Sequence, residues 1–269
     1  MKNQILLIND LAGYGNISLN TMMTTLSQMH MNLYNLPTAL VSNTLDYGKF
    51  EILETTSYMK NTIEVWKELG FVFDAISTGF IVTHEQTKII KDFCIENKGK
   101  SIIFCDPIMG DEGKLYNGVD NQTVHNMQEL IGVADYIVPN YTEAAFLAEV
   151  PIQDTITCLQ AHEIIDHLRQ KGAGSVIMTS VPLEDTHAVV GYDANTSSYF
   201  QLPYEEIPVR FAGTGDLFSA VVLGKLLQGS NLVDSVSKAM DVVYRLILAN
   251  QDLSDRCKGL PLADIGAYL

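Results

Sequence analysis

The stretch that decides the reading is Arg210-Phe211-Ala212-Gly213-Thr214-Gly215-Asp216-Leu217-Phe218-Ser219-Ala220, followed by the apolar Val221, Val222, Leu223, Leu226 and Leu227. Glycines at 213 and 215 let the backbone turn tightly enough to aim several N–H groups at one point. The segment after Asp216 is apolar on most faces, which predicts a buried helix rather than a surface one. A glycine turn feeding the N-terminus of a buried helix suits a phosphate or another anion. Asp216 stands where the helix dipole favours a carboxylate. Aspartate is also a favoured N-cap, so capping is the plain structural alternative for Asp216.

Outward from this stretch, apolar runs alternate with helical ones. Strands are expected at Ile5–Ile8, Pro37–Ser42, Asp74–Thr78, Ser101–Cys105, Ala134–Val138 and Ser175–Thr179. Helices are expected over about Ile17–Met31, from after Gly48 to about Leu69, and over His84–Asn97 with Thr83 as cap. Further helices are expected from Tyr141, over about Thr155–Lys171 and over Leu232–Asn250. Residues 187–193 and 197–202 alternate as an antiparallel hairpin with Asn195 in its turn. Strands separated by helices of ten to fifteen residues indicate parallel βαβ units. No repeat or Pro/Gly linker divides the sequence, so a single α/β domain over residues 1–269 is expected.

The chain has 269 residues, 47% of them hydrophobic, and a formal net charge of −15. That length allows a sizeable core. The acidity speaks against nucleic acid as a partner, because phosphate backbones need concentrated Lys and Arg. Cys94, Cys105, Cys158 and Cys257 form no CxxC pair, which favours reduced thiols in a cytoplasm over a structural zinc site. The apolar run near the N-terminus is too short for a signal peptide's core or a membrane span. A cytoplasmic protein with no membrane partner is expected. Walker A, GxSxG, HRD and DFG motifs are all lacking, and His162 and His167 read as solvated residues of a polar helix.

Asp10, Asp106, Asn140 and Thr179 each fall at the end of an expected strand, where ligands of open parallel sheets bind. Asn140-Tyr141-Thr142-Glu143 has the spacing of a capping box. A carboxylate and an amide at a strand end can also order the waters of Mg²⁺. Asp106 and Asp111 flank Pro107 and Gly110. They read either as solvated loop carboxylates or as a cation site beside a triphosphate, with the glycine-rich Gly110–Gly118 as a mobile lid.

Asp106-Pro107-Ile108-Met109-Gly110-Asp111 with Gly113 and Tyr116 resembles the DPVMGDxGxxY segment of pyridoxal (vitamin B6) kinases, members of the ribokinase-like superfamily. Pro139-Asn140-Tyr141-Thr142-Glu143-Ala144 is similar to the PNxxEA motif of that family and of hydroxymethylpyrimidine kinases. Gly213-Thr214-Gly215-Asp216 resembles the superfamily's anion hole and base. Ser42-Asn43 and Tyr47-Gly48 are similar to the family's substrate segment. The resemblance implies a ribokinase-like three-layer α/β/α fold with a mostly parallel central sheet. It implies Asp216 as base, with Gly213, Thr214 and Gly215 holding the transferring phosphoryl group. It places ATP against Asp106, Asp111, Tyr116, Asn140, Glu143, Thr179 and Ser180, with Mg²⁺ at Asp106 and Glu143 and room for a monovalent cation. The vitamer would meet Asp10, Ser42, Tyr47 and Phe80, and the enzyme would be a homodimer.

Three positions depart from many pyridoxal kinases, which carry serine at Asp10, threonine at Leu45 and tyrosine at Phe80. Hydroxymethylpyrimidine kinases share an aspartate like Asp10 but follow it with GGAG, where this chain has Gly13-Tyr14-Gly15-Asn16. The expected activity is therefore phosphorylation of the 5′-hydroxymethyl group of pyridoxal, pyridoxine or pyridoxamine. A hydroxymethylpyrimidine kinase is the alternative within this chemistry. A non-catalytic nucleotide- or vitamer-binding regulator is the alternative outside it.

Overall fold

A computed structural model describes residues 3–269. In chain order the elements begin with β1 (Gln4–Ala12), α1 (Ser18–Gln28), β2 (Asn32–Val41), β3 (Ile52–Glu54), α2 (Thr56–Leu69) and β4 (Ala75–Thr78). They continue with α3 (His84–Asn97), β5 (Ile102–Cys105), β6 (Gly110–Asp111), β7 (Lys114–Leu115), α4 (Asn121–Ile131), β8 (Tyr136–Ile137), α5 (Tyr141–Ala148) and α6 (Cys158–Gln170). The last are β9 (Ser175–Pro182), β10 (His187–Asp193), β11 (Ser198–Tyr204), α7 (Thr214–Leu227) and α8 (Leu232–Asn250). Two compact units result: residues up to Val82 together with Ile207–Leu269, and Thr83–Glu206.

In the first unit the strands run β3-β2-β1-β4, with β1 parallel to both β2 and β4 and β3 antiparallel at the edge. Ile5, Leu6, Leu7 and Ile8 are all fully buried, so both faces of β1 are covered. That explains a continuous apolar run in place of alternation. Residues 216–224 of α7 are likewise buried throughout, as an all-round apolar helix requires. α7 approaches α1 so closely that a Cβ on Gly224 would lie 2.4 Å from Met29 Cε and 3.2 Å from Leu26 Cδ2. Any larger residue at 224 would have to displace the end of the Met29 side chain.

In the second unit β5, β8 and β9 are parallel, and β10 and β11 continue as an antiparallel meander. The expected hairpin is present, one residue later at the start of its second strand. Thr83 caps α3 by accepting the Gln86 N–H at 3.1 Å. The fold class is the expected one, α/β with a mostly parallel sheet and flanking helices.

Three elements were not expected from the sequence. β3 is three residues long and exists by pairing with β2. The short hairpin β6–β7 lies in the segment read as a mobile lid. α4 begins at Asp120, whose carboxylate accepts the Gln122 and Thr123 N–H groups, and it buries Val124, Met127, Leu130 and Ile131. α1 also ends at Gln28 rather than near Met31, and His30 takes a left-handed backbone, φ 63°. Among the described residues no helix is long and apolar enough to cross a membrane.

Leu26 is fully buried between α1 and α7. Leu26→Ala is expected to cost about 2–5 kcal/mol of unfolding free energy in urea titrations. A cost under about 1 kcal/mol would mean that this contact is not part of the core.

Candidate active site

The first unit holds the base candidate. Gly213 is the N-cap of α7 in a left-handed backbone, φ 77°, with no side-chain cap. A Cβ there would lie 2.6 Å from the Asn16 carbonyl oxygen, so glycine is required twice over. A Cβ on Gly215 would meet nothing within 4 Å, so the outer side of the turn is open. Asp216 is buried in the first turn of α7. Its Oδ2 accepts the Ser18 N–H at 2.8 Å and its Oδ1 accepts an Asn9 Nδ2–H at 3.4 Å. The N-cap of α1 is the apolar Ile17, which makes no side-chain cap, and Asp216 supplies the missing acceptor from 198 residues away. Asp216 thus caps a neighbouring helix while standing beside the glycine turn.

Asp10 lies inside β1 rather than beyond it. The β1–β2 register breaks between Asn9 and Leu11, an irregularity of the kind that re-aims a side chain. Asp10 is 5% exposed. Burial pushes its carboxyl up to about 6, opposed by hydrogen bonds from the Ser18 hydroxyl and the backbone. Ser18, with its left-handed φ of 49°, thereby touches both Asp10 and Asp216.

Phe80 joins this group through its backbone. Its N–H is bonded to Asn9 Oδ1 at 2.7 Å and its carbonyl to the Thr38 hydroxyl at 2.7 Å. Ser42 and Tyr47 have other partners. The Ser42 hydroxyl is bonded to Asn43 and accepts the Glu51 N–H. The Tyr47 phenol donates to Asp255, 2.7 Å from Oδ2, and its ring lies 6.1 Å from that of Tyr14. Asp46 next to it pairs with Arg210 at 2.9 Å. Two side-chain ties therefore join residues 46–47 to the segments on either side of α7 and α8.

The second unit gathers Asp106, Asn140, Glu143 and Thr179. The capping box at α5 is complete: Asn140 Oδ1 accepts the Glu143 N–H and Glu143 Oε2 accepts the Asn140 N–H, both at 2.9 Å. Glu143 Oε1 also accepts the Met109 N–H at 3.0 Å and the Gly110 N–H at 3.5 Å. Asn140 Nδ2 donates to the Gly110 carbonyl, and Asn140 forms a parallel bridge with Thr179. Glu143 is held well above the ordinary carboxylate range, first by burial and then by the Asp106 carboxylate, against the three N–H groups. Both Glu143 oxygens are engaged by N–H groups.

The segment read as a mobile lid has a regular structure of its own. Residues 110–115 form β6–β7, closed by Glu112 (φ 50°) and Gly113 (φ 79°), the left-handed pair of a tight hairpin turn. Asn140, Glu143 and the Thr142 hydroxyl, which accepts the Gly113 N–H at 3.0 Å, pin it to α5. A capped helix start thus anchors what composition alone presents as a loose glycine-rich loop. Asp111 accepts the Glu112 N–H, and the Tyr116 N–H is bonded to the Met109 carbonyl. Ser180 is exposed, with φ 55°, and its hydroxyl is bonded to the Tyr204 phenol, which burial pushes upward.

The fold and the Gly213–Asp216 turn define a member of the ribokinase-like superfamily. The sequence model of the phosphomethylpyrimidine kinase family matches residues 20–259, and the chain belongs to that family. A Bacteroides thetaiotaomicron protein, assigned as a phosphomethylpyrimidine kinase and crystallised in an orthorhombic form with pyridoxal, is 33% identical. It superposes with a TM-score of 0.94 over 99% of this chain and 95% of that one. The pyridoxal kinase of Lactobacillus plantarum is 28% identical, with a TM-score of 0.89 over 99% and 96%. A pyridoxal kinase of Dictyostelium discoideum is 32% identical over 176 residues, 61% of this chain and 56% of that protein. The chain thus spans little more than half the length of that curated relative, and the same holds for one from Schizosaccharomyces pombe.

Asn9, Ser18, Asp255 and Arg210 were not picked out as site residues from the sequence. Their signal is three-dimensional, since each partner lies far along the chain.

The raised Asp10 carboxyl has a definite consequence for stability. An unfolded aspartate releases its proton near the ordinary value of 3.8, whereas the folded one holds it to about 6. Between these values the folded state binds the extra proton, so stability falls as pH rises through the window and stays lower above it. Asp10→Asn is expected to be the more stable protein at pH 7, by on the order of 2–3 kcal/mol, with the gain vanishing near pH 4. Urea unfolding at the two pH values measures this. A less stable Asp10→Asn at neutral pH would mean that the ionised carboxylate is held by attraction.

Proposed function

We propose that this chain is an ATP-dependent kinase that phosphorylates the 5′-hydroxymethyl group of a vitamin B6 vitamer. The observation that carries the reading is the Asp216 carboxylate, buried at the mouth of an open glycine turn and fixed at both oxygens by N–H donors. Asp216 accepts the proton of the substrate hydroxyl as that oxygen attacks the γ-phosphorus. The Gly213–Gly215 amides and the N-terminus of α7 offset the charge on the transferring group. Phosphoryl transfer asks mainly for such positioning and charge stabilisation.

Nucleotide binding is assigned to Asp106, Asp111, Tyr116, Asn140, Glu143, Thr179 and Ser180. No three His, Cys, Asp or Glu side chains form a metal cage among the described residues. A nucleotide's Mg²⁺ needs no such cage, since it takes most of its oxygens from phosphates and water and one or two from carboxylates. The buried Asp106–Glu143 pair fits that demand, because a cation beside it would relieve the mutual repulsion that raises Glu143. Asp106 would then hold the ion, with Glu143 behind it keeping Met109, Gly110 and Asn140 in place. The ion would neutralise charge between the β- and γ-phosphates.

A B6 ring is supported by the named relatives and by the pyridoxal in the Bacteroides crystal. Asp10, Phe80 and the Tyr14–Tyr47 pair offer one acid and several aromatic faces to a flat ring. The family description and Asp10 favour hydroxymethylpyrimidine as the second reading.

Two measurements test this. Asp216→Asn is expected to lose about 10²–10⁴-fold in turnover while still binding nucleotide. Turnover within a few-fold of the parent would leave Asp216 only as the cap of α1. Comparing kcat/KM for pyridoxal, pyridoxine, pyridoxamine, hydroxymethylpyrimidine and ribose identifies the substrate. A B6 vitamer is expected to lead, and hydroxymethylpyrimidine leading by more than about tenfold would overturn the assignment.

A further inference from the structure

Asn9 is 1% exposed, and its amide is fixed from both ends. Oδ1 accepts two backbone N–H groups, from Asp10 at 2.9 Å and from Phe80 at 2.7 Å. Reversing the amide would set its NH₂ against those two donors, so Nδ2 is the atom that must face Asp216. The turn is shaped around this side chain: a Cβ on Gly79 would lie 2.5 Å from Asn9 Cγ and Nδ2. Only glycine lets residues 79–80 come close enough for the Phe80 N–H to reach Oδ1. The strand gives way at the same place, with the β1–β2 register breaking just after Asn9.

We infer that Asn9 is a positioning residue, which locks the Asp216 carboxylate in register with the Asp10 and Phe80 backbone. The part of this that concerns turnover rests on the kinase reading above. The chemistry asks for an acceptor at one end and a donor at the other, which a carboxamide provides and a carboxylate does not. At 3.4 Å the bond to Asp216 is long, so its effect is on orientation more than on stability. Ser18 N–H fixes the other oxygen, and two donors from different segments leave the carboxylate one orientation. Phosphoryl transfer is sensitive to such placement, since a misplacement of about 1 Å can cost 10²-fold in rate.

The test is a double-mutant cycle of Asn9→Asp, Asp216→Asn and the two together, read first as Tm between about pH 5 and about pH 8. Asn9→Asp keeps the shape and both accepted N–H groups but brings a carboxylate to Asp216 and near Asp10, the ionisable groups that share this site. Its Tm is expected to fall increasingly as pH rises, and adding Asp216→Asn is expected to recover most of the loss. Strictly additive Tm changes overturn the inference, whatever the protein's activity. In turnover, Asn9→Asp is expected to move the acid limb of kcat/KM upward by about one pH unit or more. Asn9→Ala is expected to lower kcat at least about tenfold with nucleotide KM within about twofold. Parental kcat and an unmoved acid limb would likewise overturn it. A parent that phosphorylates no vitamer would sink the kinase reading alone, because the thermal cycle still decides whether Asn9 holds Asp216.

Discussion

The hydrogen bond from the Ser18 N–H to Asp216 is the constraint on which the first unit turns. It joins the start of α1 to the first turn of α7, across nearly the whole sequence. α1 begins after an apolar residue that cannot cap it, and Ser18 itself sits in a left-handed backbone that costs of order 1–3 kcal/mol. A buried carboxylate meets both needs, because it satisfies an orphan N–H and sits at the positive end of the α1 dipole. The carboxylate is in turn held at the start of α7, beside the open Gly213–Gly215 turn.

The second unit also asks one carboxylate to organise two segments, with the roles divided differently. Glu143 engages Asn140, Met109 and Gly110 with its two oxygens, and so ties the start of α5 to the turn after β5. A carboxylate with three N–H partners shapes a binding loop better than it ligates a cation. Its neighbour in the buried acidic pair is Asp106. Burial and the Asp106 charge both raise the proton affinity of Glu143, and the three N–H groups oppose them.

Much of this was legible in the sequence, and for identifiable reasons. Parallel strands buried on both faces leave unbroken apolar runs such as Ile5–Ile8. The fully buried α7 leaves an all-round apolar helix, and the Asn140–Glu143 spacing announces its own box. α4 was also written in the chain, as Asp120 followed by Val124, Met127, Leu130 and Ile131, but glutamines and asparagines between them mask the stripe. β3 was not legible, because three residues become a strand only when β2 lies beside them. The hairpin β6–β7 hides for a related reason: its stability comes from Asn140, Thr142 and Glu143, about thirty residues on. At the candidate site, residue types alone single out Asp216 and the glycine turn. Asn9 and Ser18 carry no such mark, since each is defined by partners brought to it from elsewhere.

Asp10 shows how a site can hold a group that works against the fold. A carboxyl at 5% exposure, raised to about 6, is a net cost at neutral pH, and a protein selected for stability alone would hold an asparagine there. Its hydrogen bond from Ser18 recovers only part of that cost. What could offset the rest is a ligand group that donates a proton or carries positive charge, since either one stabilises the ionised form in a dry pocket. The pyridinium nitrogen, phenol and amine of B6 vitamers all qualify, and a sugar's hydroxyls do so only weakly. This costly carboxyl lies beside the backbone that Asn9 ties to Asp216.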